Sequence, residues 1–349
     1  MPNQLQLGAS DRILVLAPHP DDESIACGGL LLAARAAGAA RCVVIVTDGD
    51  NNPWPQRWIE KRWRIDSAAR ARWGARRRAE AGAALDILGV DAGERHFLGL
   101  PDSGLTALLM RDGLSNRLRG EFERFRPTHV ALPTLRDRHP DHSAVHVGAR
   151  LALPTEAPPQ LLAYAIHGET QCRHDMVVRL DTRARDDKRA ATLRHETQMR
   201  LSRGRFLRFA ADVENFDAPA LHAREDHPLQ ATLDDAEVVI RVARARLRDA
   251  ADALRILVVI ESASGPRLRI ALPLGEAGAV VAAEGEAPPS ALRALRWQAE
   301  QDDLVLRLPL AAPPAQAFFK LDRRRAGLVI YDRYGWQLGE SRSAQLGKV

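Results

Sequence analysis

The first 200 residues alternate short apolar runs with longer amphipathic stretches, and this alternation limits the folds open to the chain. Apolar runs at residues 13–17, 42–47 and 128–132 have the length of buried strands. The stretches at 24–37 and 76–88 have the length and composition of helices. Strands that alternate with helices form a parallel sheet through right-handed crossovers. The pattern therefore predicts an α/β fold with a Rossmann-like, mostly parallel sheet flanked by helices.

The pattern of apolar and polar residues changes at about residue 236. Short alternating segments are there separated by the turn clusters SGP, APP and DRYG, which is typical of antiparallel strands. We expect an α/β first domain at 1–235 and a β-rich appendage at 236–349, with a flexible loop at 275–289. The segments predicted as strands of the appendage are 255–261, 267–272, 303–308 and 327–333.

The remaining elements of the first domain follow from the same criteria. Two longer segments, 105–125 and 182–203, each predict one continuous helix, and a further helix begins near Asp141. Additional short strands are expected at 96–98, 161–166 and 176–180.

A polar cluster directly follows the first predicted strand in the segment APHPDDE. His19, Asp21 and Asp22 should project from the carboxyl end of that strand, where open α/β sheets bind ligands. A histidine and a carboxylate three residues apart can hold one cation, and the carboxylate between them can accept a proton. Taken alone, the segment is equally typical of a turn followed by a helix N-cap.

A second cluster, RDRHPDHSAVH, follows the strand that ends near Leu132 and should emerge at the same edge of the sheet. Two imidazoles with one carboxylate suit zinc with a position left open for water, and they also suit ferrous iron. We expect His146 to be a helix neighbour of His142, because no glutamate separates the two as in HExxH.

Together, APHPDDE and HPDH resemble the LmbE-like, or PIG-L, family of N-acetylglucosaminyl deacetylases. The lesser motifs TDGD, RRAE, LGLPDSGL and DDKRAATLRHETQ follow in the family's order. The resemblance covers roughly residues 11 to 203 and leaves the last third of the chain outside it.

The resemblance implies a role for each residue of the two clusters. His19, Asp22 and His142 would ligate the metal, which is expected to be Zn2+ with Fe2+ as the alternative, and Asp21 would be the general base. His139 would stabilise the oxyanion as a hydrogen-bond donor, and Asp141 would orient His139. The implied reaction is the hydrolysis of the acetamide of an N-acetylglucosamine-type sugar.

The resemblance also implies substrate contacts from Arg77, Asp102 and Asp50, whose guanidinium and carboxylate groups suit sugar hydroxyls or a phosphate. Alternatively, Arg77 and Glu80 form a surface pair on a helix.

Two other functional interpretations remain open. The same fold could hydrolyse a different amide, such as a thiol conjugate, an antibiotic intermediate or a lipid-linked glycan. It could also be a non-catalytic protein that binds carbohydrates or nucleotides, although no GxGxxG follows the first strand.

Two groups of aromatic residues have no role in these motifs. Between the second strand and the Arg76 helix, tryptophans lie among many arginines, which favours a lid over the substrate and leaves contact with a membrane surface as an alternative. In the appendage, aromatic residues serve either its core or a glycan-binding face. The first group is Trp54, Trp58, Trp63 and Trp73, and the second is Trp297, Tyr331, Tyr334 and Trp336.

Composition indicates which binding partners and which cellular compartment are expected. The net charge of +5 is a weak signal for nucleic acid, so we expect no nucleic-acid partner and instead a small-molecule or lipid-linked amino sugar. Cys27, Cys42 and Cys172 are isolated from one another, which fits a reducing compartment. The first residues suggest neither a secretory signal nor a membrane span, so a cytoplasmic protein is expected, with peripheral association at the inner face of the membrane as the alternative.

Overall fold

The computed structural model describes residues 2–154, 157–168, 175–219, 226–262, 267–281, 284–286, 295–324 and 331–341. The chain divides into two compact units. Unit 1 comprises Met1–Thr106 and Leu114–Pro219, and unit 2 comprises Ala107–Gly113 and Ala220–Val349. The boundary at 235/236 expected from the sequence stays a prediction about domains.

Unit 1 is built around a parallel sheet, as the alternating pattern predicts. Its described strands are β1 (Asn3–Gln4), β2 (Arg12–Ala17), β3 (Ala40–Thr47), β4 (Arg95–Leu100), β5 (His129–Pro133), β6 (Gln160–Tyr164), β7 (Met176–Arg179) and β8 (Val213–Phe216). Five of them pair in parallel in the order β4-β3-β2-β5-β6. The short strands β1, β7 and β8 form a separate small sheet.

The helices that flank the parallel sheet lie mostly in the connections between its strands. They are α1 (Asp22–Ala36), α2 (Pro53–Glu60), α3 (Ser67–Leu88), α4 (Leu105–Leu109), α5 (Gly113–Phe125), α6 (Pro140–Ala152), α7 (Thr182–Leu193) and α8 (Glu196–Leu207). Side chains from the sheet, such as Val15 and Ile45, share one buried core with Leu30 of α1 and Leu85 of α3. Each is at most 1% exposed, so burial of these apolar faces explains why the elements pack as layers.

The order of the strands in the parallel sheet determines where the candidate site lies. The chain runs outward from β2 through β3 to β4, then crosses back so that β5 pairs with the other side of β2. The carboxyl ends of β2 and β5 therefore form a topological switch point, where open α/β sheets leave a crevice for ligands. The two polar clusters follow these two strands.

Two predicted helices are wrong because each is broken by a residue outside helical geometry. The segment 182–203 is divided between α7 and α8, and His195, with ψ of 63°, lies at the break. The segment 105–125 is divided between α4 and α5, and Asp112 between them has a φ of 57°. A helical periodicity persists across each break, so composition alone does not reveal it.

Unit 2 is a sandwich of two five-stranded sheets, ordered β14-β15-β10-β9-β18 and β13-β12-β11-β16-β17. All its strand pairs are antiparallel except β9 with β18, which confirms the predicted antiparallel character. The strands are β9 (Leu229–Leu233), β10 (Glu237–Ala243), β11 (Leu254–Ser262), β12 (Leu268–Pro273), β13 (Glu284–Glu286), β14 (Gln298–Glu300), β15 (Asp303–Pro309), β16 (Pro314–Arg323), β17 (Trp336–Leu338) and β18 (Glu340–Ser341).

The aromatic residues of unit 2 are mostly buried. Trp297 and Trp336 are each 1% exposed and Tyr334 is 6% exposed, so these three serve packing and present no ring face for a glycan. Tyr331 alone of the four is exposed. Part of the strand expected at 327–333 and of the loop expected at 275–289 lies outside the described residues, although β13 occupies the middle of that loop.

Among the described residues, none of the helices combines the length and the apolar character needed to cross a bilayer.

Candidate active site

The site is a group of buried polar side chains at the carboxyl ends of β2 and β5. His19, Asp21 and Asp22 occupy the turn between β2 and α1, and His139 and His142 occupy the turn into α6 and its first turn. Four of these residues are at most 7% exposed, and His139 is half-buried. The structure thus brings together residues as far apart in the sequence as His19 and His142, which are separated by 123 positions.

Three potential ligand atoms form a nearly equilateral triangle. Asp22 Oδ2 lies 3.4 Å from His19 Nδ1 and 3.2 Å from His142 Nε2, and the two nitrogens are 3.3 Å apart. Ligands bound at about 2.0–2.1 Å to a tetrahedral zinc ion lie about 3.3–3.4 Å from one another. The donor set therefore fits a small divalent cation and leaves one tetrahedral position open.

Other groupings of the same region also satisfy the distance expected of metal ligands. Among the described residues these are His19 with His139 and His142, Asp22 with His142 and His167, and His19 with Asp102 and Asp141. His146 belongs to none of them; its Nδ1 donates to Pro133 O at 2.8 Å, as expected of a helix neighbour. Burial lowers the pKa of His146 to about 3, so it is a neutral, structural histidine.

Carboxylates lie beside both histidines of the triangle. His142 Nδ1 donates to Asp137 Oδ2 at 3.1 Å, which leaves Nε2 to face the triangle. His19 Nε2 faces Asp102 and Asp141 at 3.4 and 3.5 Å, within ion-pair range but longer than a formed hydrogen bond. Such carboxylate partners fix the tautomer and orientation of a metal-binding imidazole.

Asp137 was not singled out by the sequence motifs, yet it connects several parts of the site. Besides His142 it accepts hydrogen bonds from the backbone N–H groups of His139, Ile166 and His167 at 2.9 to 3.0 Å. Although burial raises its pKa, the adjacent His142 and these N–H donors hold the pKa of Asp137 well below its ordinary value. It is therefore a fixed negative charge behind His142. Its place in RDRH, beside the predicted ligands, is the only signal the sequence offered.

Asp21 lies beside the triangle in an unusual backbone conformation. Its φ of 134° is rare for any residue other than glycine, and its side chain makes no cap bond to α1. One carboxylate oxygen instead contacts Arg77 Nη2 at 3.1 Å. Burial raises the pKa of Asp21 to about 6 against the opposing charge of Arg77, so proton transfer near neutral pH is accessible to this carboxylate.

Arg77 is buried and holds the Asp21 turn in place. Its guanidinium donates to Pro20 O at 2.6 Å and to Gly49 O at 2.8 Å, in addition to its contact with Asp21. Gly49 has a φ of 60°, and a Cβ there would overlap the guanidinium, which explains the glycine of TDGD. The surface pair of Arg77 with Glu80 is not formed; Glu80 instead contacts Arg76 and Thr197.

The backbone of Asp21 is held by Glu23, the last residue of PDDE. Glu23 Oε2 accepts the Asp21 N–H at 3.0 Å, and Oε1 lies 3.2 Å from Nε2 of buried His195. Burial lowers the pKa of His195, whereas the contact with Glu23 raises it. The net effect is a pKa above the ordinary value, which favours the charged form of His195. The buried pair explains why the late HETQ motif accompanies APHPDDE, and neither residue was assigned a role from the sequence.

His139 caps α6 and presents one defined nitrogen. Its Nδ1 accepts the backbone N–H of Asp141 at 3.2 Å, so Nε2 carries the proton of the neutral ring. Burial and the neighbouring histidines lower the pKa of His139 well below its ordinary value. Its ring centroid lies 4.6 Å from that of His19 and 5.1 Å from that of His142, within reach of the same ligand.

From the sequence, Asp141 is expected to orient His139. In the structure the contact is made by the backbone N–H of Asp141 and not by its carboxylate. The carboxylate accepts the N–H groups of Ser103 and Leu105 at 2.6 and 3.2 Å and thereby fixes the PDSG turn. Its other oxygen contact is with His19, whose Nε2 lies 3.5 Å from Asp141 Oδ2.

The two other residues expected to contact the substrate, Asp102 and Asp50, differ in which groups of the protein their carboxylates contact. Asp102 Oδ2 accepts the N–H of Asn51 at 2.7 Å while Oδ1 faces His19, so its carboxylate is engaged within the protein. Asp50 is only partly buried and pairs with Arg70 at 3.2 Å on the outer side of the site.

His167 is a further site residue that the motifs did not reveal. It follows β6, its ring lies 4.9 Å from that of His142, and Arg205 Nη2 is 2.7 Å from its Nδ1. Its position after the carboxyl end of a parallel strand was the available signal.

The PIG-L family model, described as GlcNAc-PI de-N-acetylase, matches residues 14–153 of the chain. Residues 14–153 are therefore similar to the PIG-L family. The matched segment contains both clusters and the triangle of candidate ligands, which confirms the resemblance inferred from APHPDDE and HPDH.

A curated relative of the chain is the 1D-myo-inositol 2-acetamido-2-deoxy-α-D-glucopyranoside deacetylase of Nakamurella multipartita. It is 34% identical over 172 residues, which cover 42% of this chain and 56% of the relative. The chain thus spans little more than half the length of the curated relative it matches.

Two solved structures resemble this chain over a larger share of their own length. A conserved protein of Thermus thermophilus is 28% identical, with a TM-score of 0.45, and the match covers 60% of this chain and 95% of that protein. The N,N'-diacetylchitobiose deacetylase of Pyrococcus horikoshii is 22% identical, also with a TM-score of 0.45, and the match covers 59% and 83% of the two chains.

Proposed function

We propose that this protein is a metal-dependent amidohydrolase that removes the acetyl group from an N-acetylglucosamine-type sugar. The observation that carries the proposal is the triangle of His19 Nδ1, Asp22 Oδ2 and His142 Nε2 with the carboxylate of Asp21 beside it. The match to the PIG-L family supports the type of reaction.

In this proposal His19, Asp22 and His142 hold Zn2+, with Fe2+ as the alternative for the same donor set. Asp22 suits this role because, although burial raises its pKa, His142 and His19 lower it well below its ordinary value and keep the carboxylate charged. When bound, such a cation lowers the pKa of a water molecule and polarises an amide carbonyl.

Asp21 serves as the general base. Its carboxylate accepts a proton from the attacking water, and it can return that proton to the departing amine. Arg77 and Glu23 act through Asp21, because they hold its side chain and its backbone, respectively.

His139 serves as the donor to the oxyanion that forms as water adds to the acetamide. A neutral ring with its proton on Nε2 can donate without first gaining a proton, and the Asp141 N–H fixes that tautomer. Asp141 and Asp102 orient His19, while Asp50, at the outer side, remains the proposed contact to the substrate.

The substrate is proposed to be a small or lipid-linked amino sugar, because the curated relative is named for an acetamido-glucopyranoside. A cytoplasmic location is part of the same proposal, supported by the free, buried thiols of Cys27 and Cys42.

The test is acetate release from a panel of substrates by enzyme stripped of metal with a chelator and then reloaded with Zn2+ or, without oxygen, with Fe2+. The panel contains N-acetylglucosaminyl inositol, an N-acetylglucosaminyl phospholipid, diacetylchitobiose and a non-sugar acetamide. We expect release from at least one acetamido sugar, abolished by stripping and restored by one of the metals. Release from the non-sugar acetamide alone, or from no compound with metal bound, would contradict the proposal.

A further inference from the structure

The segment from Trp54 to Trp63 exposes three tryptophan side chains. Trp54, Trp58 and Trp63 are 58%, 72% and 79% exposed, and they are three of the five exposed large apolar side chains among the described residues. The nearby Trp73 of α3 is 1% exposed, so tryptophan is not excluded from the core of this unit. Clustered exposed apolar residues mark sites of interaction.

The rest of this segment is anchored, which keeps the indoles outside. Pro55 and Gln56 form the buried face of α2, and Gln56 Nε2 donates to Ala69 O of α3 at 2.7 Å. Asn52 caps the amino end of α2 through the Trp54 N–H. The tryptophans therefore do not pack on the domain as a closed lid would.

A continuous helix would place Trp63 away from Trp54 and Trp58, but the chain turns before it reaches Trp63. Lys61 ends α2 in the left-handed conformation, with a φ of 51°. Arg57 then donates to Trp63 O at 2.9 Å and stacks on the rings of both Trp54 and Trp63, at 5.0 and 5.2 Å. The three indoles thus belong to one surface, which we call the tryptophan surface.

Basic side chains border the tryptophan surface. Lys61, Arg62 and Arg64 are exposed, and none of the three has an ionic or hydrogen-bond partner within the described part of the chain. The one acidic residue of the segment, Glu60, pairs with Arg72. The surface therefore offers donors and positive charge, and its one carboxylate is paired with Arg72.

The tryptophan surface begins at the rim of the candidate active site. Asn51, whose N–H binds Asp102, precedes Trp54 by three residues, so the two α-carbons are within about 10 Å of each other. Whatever contacts this surface is therefore held near the entrance to the site.

We propose that the tryptophan surface docks on an anionic lipid bilayer. Indoles settle at the level of the headgroups, and exposed lysine and arginine side chains bind anionic headgroups. A sugar-binding face is less well matched, because sugar hydroxyls require acceptors as well as donors. Docking would present the site to an acetamido sugar carried on a lipid, a consequence that rests on the proposed function.

The test is co-sedimentation of the full chain with vesicles of phosphatidylcholine, with and without phosphatidylglycerol, at physiological salt. We expect binding to the anionic vesicles and roughly tenfold weaker binding to phosphatidylcholine alone. The triple variant Trp54→Ser, Trp58→Ser and Trp63→Ser should bind the anionic vesicles at least about tenfold more weakly.

Charge is tested with matched double variants. Arg62→Glu with Arg64→Glu should abolish the preference for anionic vesicles, whereas Arg183→Glu with Arg189→Glu, the same change at exposed positions of α7, should leave it intact. Equal losses in both double variants would show that only the net charge matters and would overturn the proposed surface. An unchanged thermal midpoint in each variant shows that folding is not the cause.

Absence of binding to anionic vesicles, or full binding by the triple variant, would also overturn the proposal. Binding of soluble diacetylchitobiose that depends on the three tryptophans, without binding of vesicles, would show a sugar platform instead. Since sedimentation requires no turnover, failure of the deacetylase proposal would leave this result unaffected.

Discussion

The active site buries charged groups, whereas the tryptophan surface exposes large apolar side chains. Each is the reverse of the usual distribution of these residue types. In the site, charged groups such as Asp22, Asp137 and His142 are at most 2% exposed, and each contacts a group of complementary charge or hydrogen-bonding character. In the tryptophan surface, large apolar rings face solvent, and Lys61, Arg62 and Arg64 beside them have no ionic partner among the described residues. Both arrangements are unfavourable for a folded chain without a ligand. The difference predicts the ligand: a cation where carboxylates and imidazoles converge, and a partner both apolar and anionic where indoles and cations converge.

The largest expected effect is that of His142→Ala on the site. Removal of one of three ligands should abolish stoichiometric metal binding and reduce acetate release to background. Metal content is measured by mass spectrometry. The control His146→Asn, one turn along α6, retains a side-chain donor for Pro133 O and should keep its metal; loss in both variants would point to misfolding of α6.

The next effect is that of His139→Ala, which should keep its metal and lower kcat by about 100- to 1,000-fold, as expected for loss of one oxyanion donor. His139→Gln places an amide N–H near the position of Nε2 and should recover part of the loss. Metal loss in His139→Ala would instead assign His139 to the ligand set that includes His19 and His142.

Asp137→Asn should weaken metal affinity by about 10- to 100-fold, because the carboxylate behind a metal-binding histidine sets its orientation and basicity. Competition with a metal indicator measures the change. Asp50→Asn removes a charge at the outer side of the site and should leave the affinity unaltered. An equal change in the two variants would mean that net charge, and not the contact to His142, governs binding.

The smallest effect concerns stability and sharpens the contrast between buried and exposed tryptophans. Trp58→Ala should change the free energy of unfolding by no more than about 0.5 kcal/mol, since the ring is 72% exposed. Trp73→Ala, at a buried ring of α3, should cost about 3–5 kcal/mol. Denaturant titration measures both, and comparable losses would show that Trp58 is part of the core.

The parallel sheet and the convergence of the two clusters could be predicted because they depend on local patterns. Apolar runs specify β2 and β5, and the topology of a parallel sheet brings their carboxyl ends together. The residues that hold those clusters in place could not be predicted in the same way. Glu23 with His195, and Arg77 with Gly49, are contacts between distant segments whose geometry depends on how α1, α3 and α8 pack.

The tryptophan surface shows a second limit of local patterns. A helical projection of residues 54–65 gives no continuous apolar face, whereas the chain turns at the left-handed residue Lys61 and Arg57 contacts both Trp54 and Trp63. Nothing in the residues around Lys61 signals that turn, because lysine has no preference for positive φ. The structure therefore defines a surface that the sequence only suggested.

The most direct test of the account is a comparison of metal content and acetate release in wild type and Asp21→Asn. The account predicts equal metal in the two proteins and a rate about 100- to 10,000-fold lower in the variant, because only the base is removed. If Asp21→Asn lost its metal in parallel with its activity, or kept both, the assignment of Asp21 as the base beside a site formed by His19, Asp22 and His142 would be contradicted.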